Sequence, residues 1–237
     1  MTEEFYRISE NIKRIEENIA RAALKSGRSE NDVNLVAVTK TVDVERINHA
    51  ISCGIKYIGE NKVQEFLQKK DDLLLDGVSA HLIGHLQTNK VSKIVGKVDM
   101  IESVDSPRLA EAISKKSTEL GIKTDILLQV NIGREESKSG ILPEFVFETA
   151  EEISRFEGIT IRGLMAIPPA QGDNAEKIKF FSNMYKLFID IKGKKMDNSN
   201  VNVLSMGMSG DYELAVECGA TLVRVGTGIF GYRNYNI

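Results

Sequence analysis

Two cysteines, Cys53 and Cys218, are all the thiol chemistry that this chain of 237 residues carries. Neither sits in a Cys-x-x-Cys pair, so a zinc or redox motif has no footing. Each precedes a glycine at the end of a helical stretch, which reads as buried packing. No apolar run approaches the about 18 residues of a membrane span. The formal net charge is only −3, so the basic footprint of a nucleic-acid binder is missing. The opening stretch, MTEEFYRISENIKRIEENIARAALKSG, is charged and helix-patterned and lacks the apolar centre of a signal peptide. A cytoplasmic location is the default expectation. No Pro/Gly/Ser-rich linker divides the chain, so residues 1–237 read as one domain.

What is present is alternation. Short apolar runs suggest strands over 35–40, 56–61, 79–86, 99–105, 125–132, 160–167, 201–209 and 221–231. Helical segments fill the gaps. Asp43 is placed to cap one that ends at Gly54. Ser106, Pro107 and Gly121 supply the cap, first position and terminator of another. In the stretch from Asp173 to Lys192, Ile178, Phe181, Met184 or Tyr185, and Phe188 recur at helical spacing. Strands alternating with helices predict an α/β fold, a single (β/α)8 TIM barrel. The N-terminal helix within residues 1–30 is an addition that covers it.

A barrel places its chemistry at the C-terminal ends of the strands. Those ends carry Lys40, Asn61, His85, Ser103, Asn131, Met165, Ser205 and Gly226. The set offers an amine, amides and hydroxyls but no carboxylate or histidine cluster for a metal. Lys40 is either a solvated strand end or a partly desolvated amine available for a Schiff base. His81 and His85, four apart on one strand, would stand roughly 13 Å apart at about 3.3 Å per residue, too far to share an ion. His81 therefore reads as packing, and His85 as a pocket-lining candidate.

The stretch SMGMSGDYELA places Ser209 either as a helix cap or at a phosphate site on a helix N-terminus. Gly226-Thr227-Gly228 adds a second glycine turn after strand eight, and barrels frequently bind phosphate near the loops after strands seven and eight. Arg224, mid-strand among Leu222, Val223 and Val225, needs either an internal carboxylate or a ligand atom as partner. Lys138 in a turn-like segment, and Lys90, Lys93 and Lys97 on a short helix, read as solvated.

LVAVTK, IGENKVQE, HLIGHLQTNK, SKSGI, IRGLMAI, LSMGMSGDYELAVECGATLVRVGTGIFG and the closing Tyr232-Arg233 together resemble the pyridoxal phosphate homeostasis proteins, whose fold is similar to the N-terminal barrel of alanine racemase. The resemblance implies a protein that binds pyridoxal 5′-phosphate (PLP) as a Schiff base on Lys40; a monomer is expected, since no exposed heptad or apolar stripe argues for a dimer. It implies phosphate contacts from Ser209, Gly226 and Thr227, and an approach of Arg224 to the pyridine nitrogen. It implies Asn61 and Ser205 as pocket residues, with Met206 and His85 as lining. The expected role is vitamin B6 homeostasis without robust turnover, with PLP-dependent apo-enzymes as recipients. The alternative is a small PLP-dependent amino-acid racemase. The chain runs only six residues past Gly231. Tyr232 and Tyr235 lie beside the glycine turns, so the second domain and tyrosine base of a racemase are not expected.

Overall fold

In the computed structural model, which describes residues 2–169 and 172–231, Thr2 starts the first helix. Its hydroxyl accepts the Phe5 amide at 3.3 Å and opens α1 (Glu3–Lys25). Ile8, Ile12, Ile15 and Ile19 form one buried stripe along this helix, at the three- and four-residue steps that keep side chains on one face. No described helix is long and apolar enough to cross a membrane.

Eight parallel strands then close on themselves in chain order, with β1 pairing both β2 and β8. They are β1 (Asn34–Val38), β2 (Tyr57–Glu60), β3 (Ser79–Leu82), β4 (Met100–Val104), β5 (Thr124–Val130), β6 (Ile159–Ala166), β7 (Ser199–Ser205) and β8 (Leu222–Val225). The helices between them are α2 (Val44–Ser52), α3 (Val63–Lys69), α4 (Val91–Ile94), α5 (Pro107–Glu119), α6 (Val146–Ile153), α7 (Asn174–Lys192) and α8 (Tyr212–Glu217), and α9 (Thr227–Phe230) follows β8. The expected (β/α)8 barrel is the observed fold. Successive strand residues face opposite sides, so Leu35, Ala37, Ile101, Ile126 and Leu128 join the core beneath the helices. Met100, Leu127 and Met165, packed with Val203, form a separate cluster inside the barrel.

α1 packs against α2, α8 and α9. Because α9 has only four residues, α1 occupies the place in the helical layer between α8 and α2. It completes that layer over the β8–β1 seam rather than lying outside it. Gly163 carries the bend in β6. Its φ is +151°, and a Cβ there would meet the Val203 carbonyl oxygen at 1.7 Å, next to a register shift against both neighbouring strands.

Several boundaries differ from the expectations. β3 ends at Leu82, so His85 lies on a loop. β7 ends at Ser205 and β8 at Val225, because the glycine turns begin there. Ser209 does not cap α8: Asp211 holds that position, and its side chain accepts the Met208 amide at 2.7 Å. In α7, Phe181, Met184 and Phe188 are buried, while Ile178 and Tyr185 are exposed. The cysteines are half-buried at the edge of the core. Tyr232, Arg233 and Tyr235 lie outside the described residues.

Candidate functional site

Lys40 follows β1 by two residues and is half-buried. The chain is held on both sides of it. Thr39 donates its hydroxyl to the Gly59 carbonyl at 3.2 Å and to Glu60 Oε2 at 3.1 Å. Lys69, at the end of α3, donates to the Thr39 carbonyl at 3.0 Å, to Glu60 at 3.1 Å and to Glu65 at 2.6 Å. Thr41 adopts φ 59°, a left-handed conformation that costs a residue with a Cβ about 1–2 kcal/mol. Its amide donates to Glu65, which anchors that turn.

Burial pushes the Glu60 carboxyl up, and the opposing pull of Lys69 and the Asn61 amide leaves it above its ordinary value. Burial also acts upward on Glu65, but its bonds from Lys69 and the Thr41 amide carry it below the usual range. Asn61 is tied to the same cluster, since its amide donates to Glu60 Oε1 at 2.9 Å. The loop after β3 comes against it at Gly84, where a Cβ would lie 2.2 Å from the Asn61 carbonyl oxygen. No side chain fits there.

The loops after β7 and β8 are joined by Ser209. Its hydroxyl oxygen accepts the amides of Gly226 at 3.3 Å and Gly228 at 3.2 Å. A hydroxyl and two backbone amides thus converge on one point, with Thr227 exposed beside them.

Arg224 points into the barrel and is 3 % exposed. It donates to Ser205 Oγ and to the Ala166 carbonyl, the latter at 2.9 Å, and lies 3.8 Å from Glu102 Oε2. Burial lowers its pKa, while Glu102 and Asp211 act in the opposite sense. The internal-carboxylate reading of this arginine is met by Glu102, and Arg224 also lines a cavity.

That cavity, of about 600 Å³, opens at the C-terminal mouth of the barrel. It is lined by Lys40, Asn61, Ser209, Arg224, Gly226 and Thr227. Six of the nine expected site residues therefore meet in one place. Val38, Ile83, Ile167, Met208 and Gly210 complete the wall. A larger cavity of about 840 Å³ beneath α1 shares Val38, Gly226 and Thr227 but has neither Lys40 nor Arg224 in its lining.

The other three expected residues lie elsewhere. Ser205 is fully buried behind Arg224 and bridges it to Glu102. Met206 faces the core shared with the helices. The His85 side chain is 55 % exposed, near Ser139 and Asp105 at 3.2 and 3.5 Å, and is not part of the cavity wall. Sequence reasoning missed Glu102 and the Glu60–Lys69–Glu65 cluster. A carboxylate inside each of two buried strands was the available signal, since a buried charge calls for a partner.

The model of the alanine racemase N-terminal domain family matches residues 11–234. The chain is 41 % identical over 227 residues to the pyridoxal phosphate homeostasis protein of Aquifex aeolicus, an alignment covering 95 % of this chain and 98 % of that one. Its structure is similar to PipY of Synechococcus elongatus solved with PLP bound, with a TM-score of 0.82, 33 % identity, and 94 % and 100 % of the two chains covered. Alanine racemase of Clostridium difficile shares the fold at a TM-score of 0.70 and 17 % identity, over 93 % of this chain and 59 % of the racemase. The chain belongs to the alanine racemase N-terminal domain family and, within it, to the pyridoxal phosphate homeostasis proteins.

Proposed function

We propose that this chain binds PLP at the C-terminal mouth of its barrel, joined to Lys40, and holds it in the service of vitamin B6 homeostasis. The observation that carries this reading is that one cavity is lined by Lys40, Arg224 and the two glycine turns that Ser209 bridges. These residues fit a phosphorylated pyridine aldehyde in its three parts. Ser209, Gly226 and Thr227 would hold the phosphate. Arg224 would meet the ring nitrogen. Lys40 would supply the amine.

When bound, PLP supplies an aldehyde that condenses with a primary amine, forming a C=N bond and releasing water. The Lys40 amine attacks in its neutral form. The Glu60–Lys69–Glu65 cluster fixes the backbone on both sides of Lys40, which limits where its amine reaches. Asn61 takes its position from the same cluster. Arg224 is a permanent cation, so it would disfavour protonation of the ring nitrogen and weaken the ring as an electron sink.

The same set supports holding rather than turnover. Among the described lining residues Lys40 is the one amine, and the other ionisable group is Arg224. Two-base proton transfer needs a second acid or base facing the first. A cytoplasmic monomer that passes PLP to apo-enzymes is the setting this reading implies.

The test is an absorbance spectrum of the purified protein with added PLP, then borohydride reduction and peptide mapping. The expected result is a reduced adduct on Lys40, lost in Lys40→Ala with the far-ultraviolet circular dichroism unchanged. No uptake, or an adduct on another lysine, overturns the assignment.

A further inference from the structure

A chain of polar side chains crosses the barrel interior from one mouth to the other. At the Lys40 end, Arg224 donates to Ser205, which donates to Glu102 Oε2 at 2.6 Å. The second oxygen of Glu102 lies 2.7 Å from His81 Nδ1. His81 Nε2 in turn is 3.2 Å from Ser79 Oγ, and the Tyr57 ring stands edge-on to the imidazole. Each of the four residues from Arg224 to His81 is at most 3 % exposed.

His81 lines a second cavity of about 600 Å³, together with Tyr57, Ser79, Asp99, Asp125 and Arg162. Asn34, Tyr57, Ser79, Met100 and Leu222, the first or near-first residues of five strands, also border it. It therefore opens at the N-terminal mouth, opposite Lys40.

This arrangement is costly if its only task is stability. Buried ion pairs replaced by apolar groups of similar volume are often neutral or stabilising. Met100, Leu127 and Met165 show that the same interior accepts apolar packing. The buried charges need another reason, and Arg224 at the cofactor cavity supplies one.

We propose that Ser205, Glu102 and His81 are positioning residues for Arg224, and that the Glu102 carboxylate offsets the guanidinium charge beside bound PLP. The inference rests on the PLP reading above. The groups facing Glu102 are His81, Ser205 and Arg224. Those around His81 are Glu102, Ser79 and Tyr57, with Asp99, Asp125 and Arg162 in the shared cavity. Asp211 acts on Arg224 from the other side.

The test follows the absorbance of lysine-bound PLP against pH in Glu102→Gln. Glutamine keeps the shape and an acceptor but loses the charge. Arg224 is then uncompensated, and a nearby positive charge disfavours protonation. The midpoint between the two absorbance forms is expected to move to lower pH by about one unit or more. PLP release is expected to become faster. Glu102→Asp, which draws the carboxylate back from Arg224, should move the midpoint the same way by less, and it decides the matter if Glu102→Gln does not fold.

Met165→Leu, a packing change in the same interior, should leave the midpoint in place. An unmoved midpoint in a folded Glu102→Gln or, failing that, Glu102→Asp overturns the inference while leaving PLP binding intact. If the unaltered chain takes up no PLP, the proposed function fails and this inference fails with it.

Discussion

The hydroxyl of Ser209, on the loop after β7, accepts the amide of Gly226, on the loop after β8, at 3.3 Å. This bond, repeated from Gly228, ties two separate loops together. With Ser209 at the phosphate, as proposed, Ser209→Ala takes a hydroxyl donor from that group and the shared acceptor from the two amides. One hydrogen bond to a charged group contributes about 1.5–3 kcal/mol, so PLP affinity should fall by tenfold or more. Pyridoxal, which has no phosphate, should bind with nearly unchanged affinity. Fluorescence titration with both compounds measures the ratio. Equal losses for the two would remove Ser209 from the phosphate site.

The turn bearing Lys40 depends on Lys69, whose side chain bonds Thr39, Glu60 and Glu65 at once. Lys69→Met leaves Glu60, 2 % exposed, without its cation. Breaking a buried pair in this way costs about 3 kcal/mol. The Glu60 carboxyl already lies above its ordinary value because of burial, so it takes up a proton readily once Lys69 is gone. Urea denaturation should show a penalty that is largest at neutral pH and shrinks on acidification. The double variant Lys69→Met/Glu60→Gln should recover much of the loss. A penalty independent of pH would mean that lost packing, not the orphaned carboxylate, is responsible.

Much of this organisation was legible in the chain. Asp43, Ser106 and Pro107 mark helix starts, and Gly54 and Gly121 follow helix ends at positive φ, because caps and terminators act over a few residues. Lys40, Arg224 and the glycine turns were legible as candidates because each breaks a strand pattern. Their convergence depends on barrel closure, which the alternation of strands and helices implies. Glu102 was not legible as the partner of Arg224, since 122 residues separate positions that the barrel places 3.8 Å apart. The end of β3 was misread for a related reason. Ile83 and Gly84 look like strand continuation, yet the chain turns there to meet Asn61, a contact with no local signature. His85 was carried out of the pocket with that turn.

Glu102 also sets an acid limit on stability. Burial acts upward on its carboxyl, but the hydrogen bond and charge of His81, the charge of Arg224 and the Ser205 hydroxyl outweigh it, and its pKa is lowered. A lowered folded value means that the unfolded chain binds the proton first as pH falls. The stabilisation is fully present above the ordinary carboxylate range and is lost as pH drops through that range towards the folded value. Urea midpoints measured from neutral to about pH 4 should therefore fall more steeply in the unaltered protein than in Glu102→Gln. Glu60 contributes the opposite sign, because its folded value is raised, but it does so in both proteins and cancels in the comparison. Parallel slopes would show that Glu102 is not held in its charged form.

One substitution made at two glycines should have opposite effects. At Gly84 a methyl group would lie 2.2 Å from the Asn61 carbonyl oxygen and 2.8 Å from its Cα, both backbone atoms with little freedom to move. Gly84→Ala must displace either the loop after β3 or the strand end bearing Asn61. Overpacking of this kind costs about 1–3 kcal/mol or more. Because Asn61 lines the cavity with Lys40, PLP uptake should weaken along with stability. At Gly193, the cap of α7, φ is −73° and ψ is −13°, and the nearest atoms to an added methyl are 3.6 Å away. Alanine fits there without strain and narrows the unfolded ensemble, so Gly193→Ala should stabilise by about 0.4–1 kcal/mol. It should leave PLP uptake unchanged, since α7 contributes nothing to the cavity wall. Thermal denaturation with and without PLP measures both effects. A Gly84→Ala protein that matches Gly193→Ala in stability and uptake would mean that the loop after β3 does not set the position of Asn61.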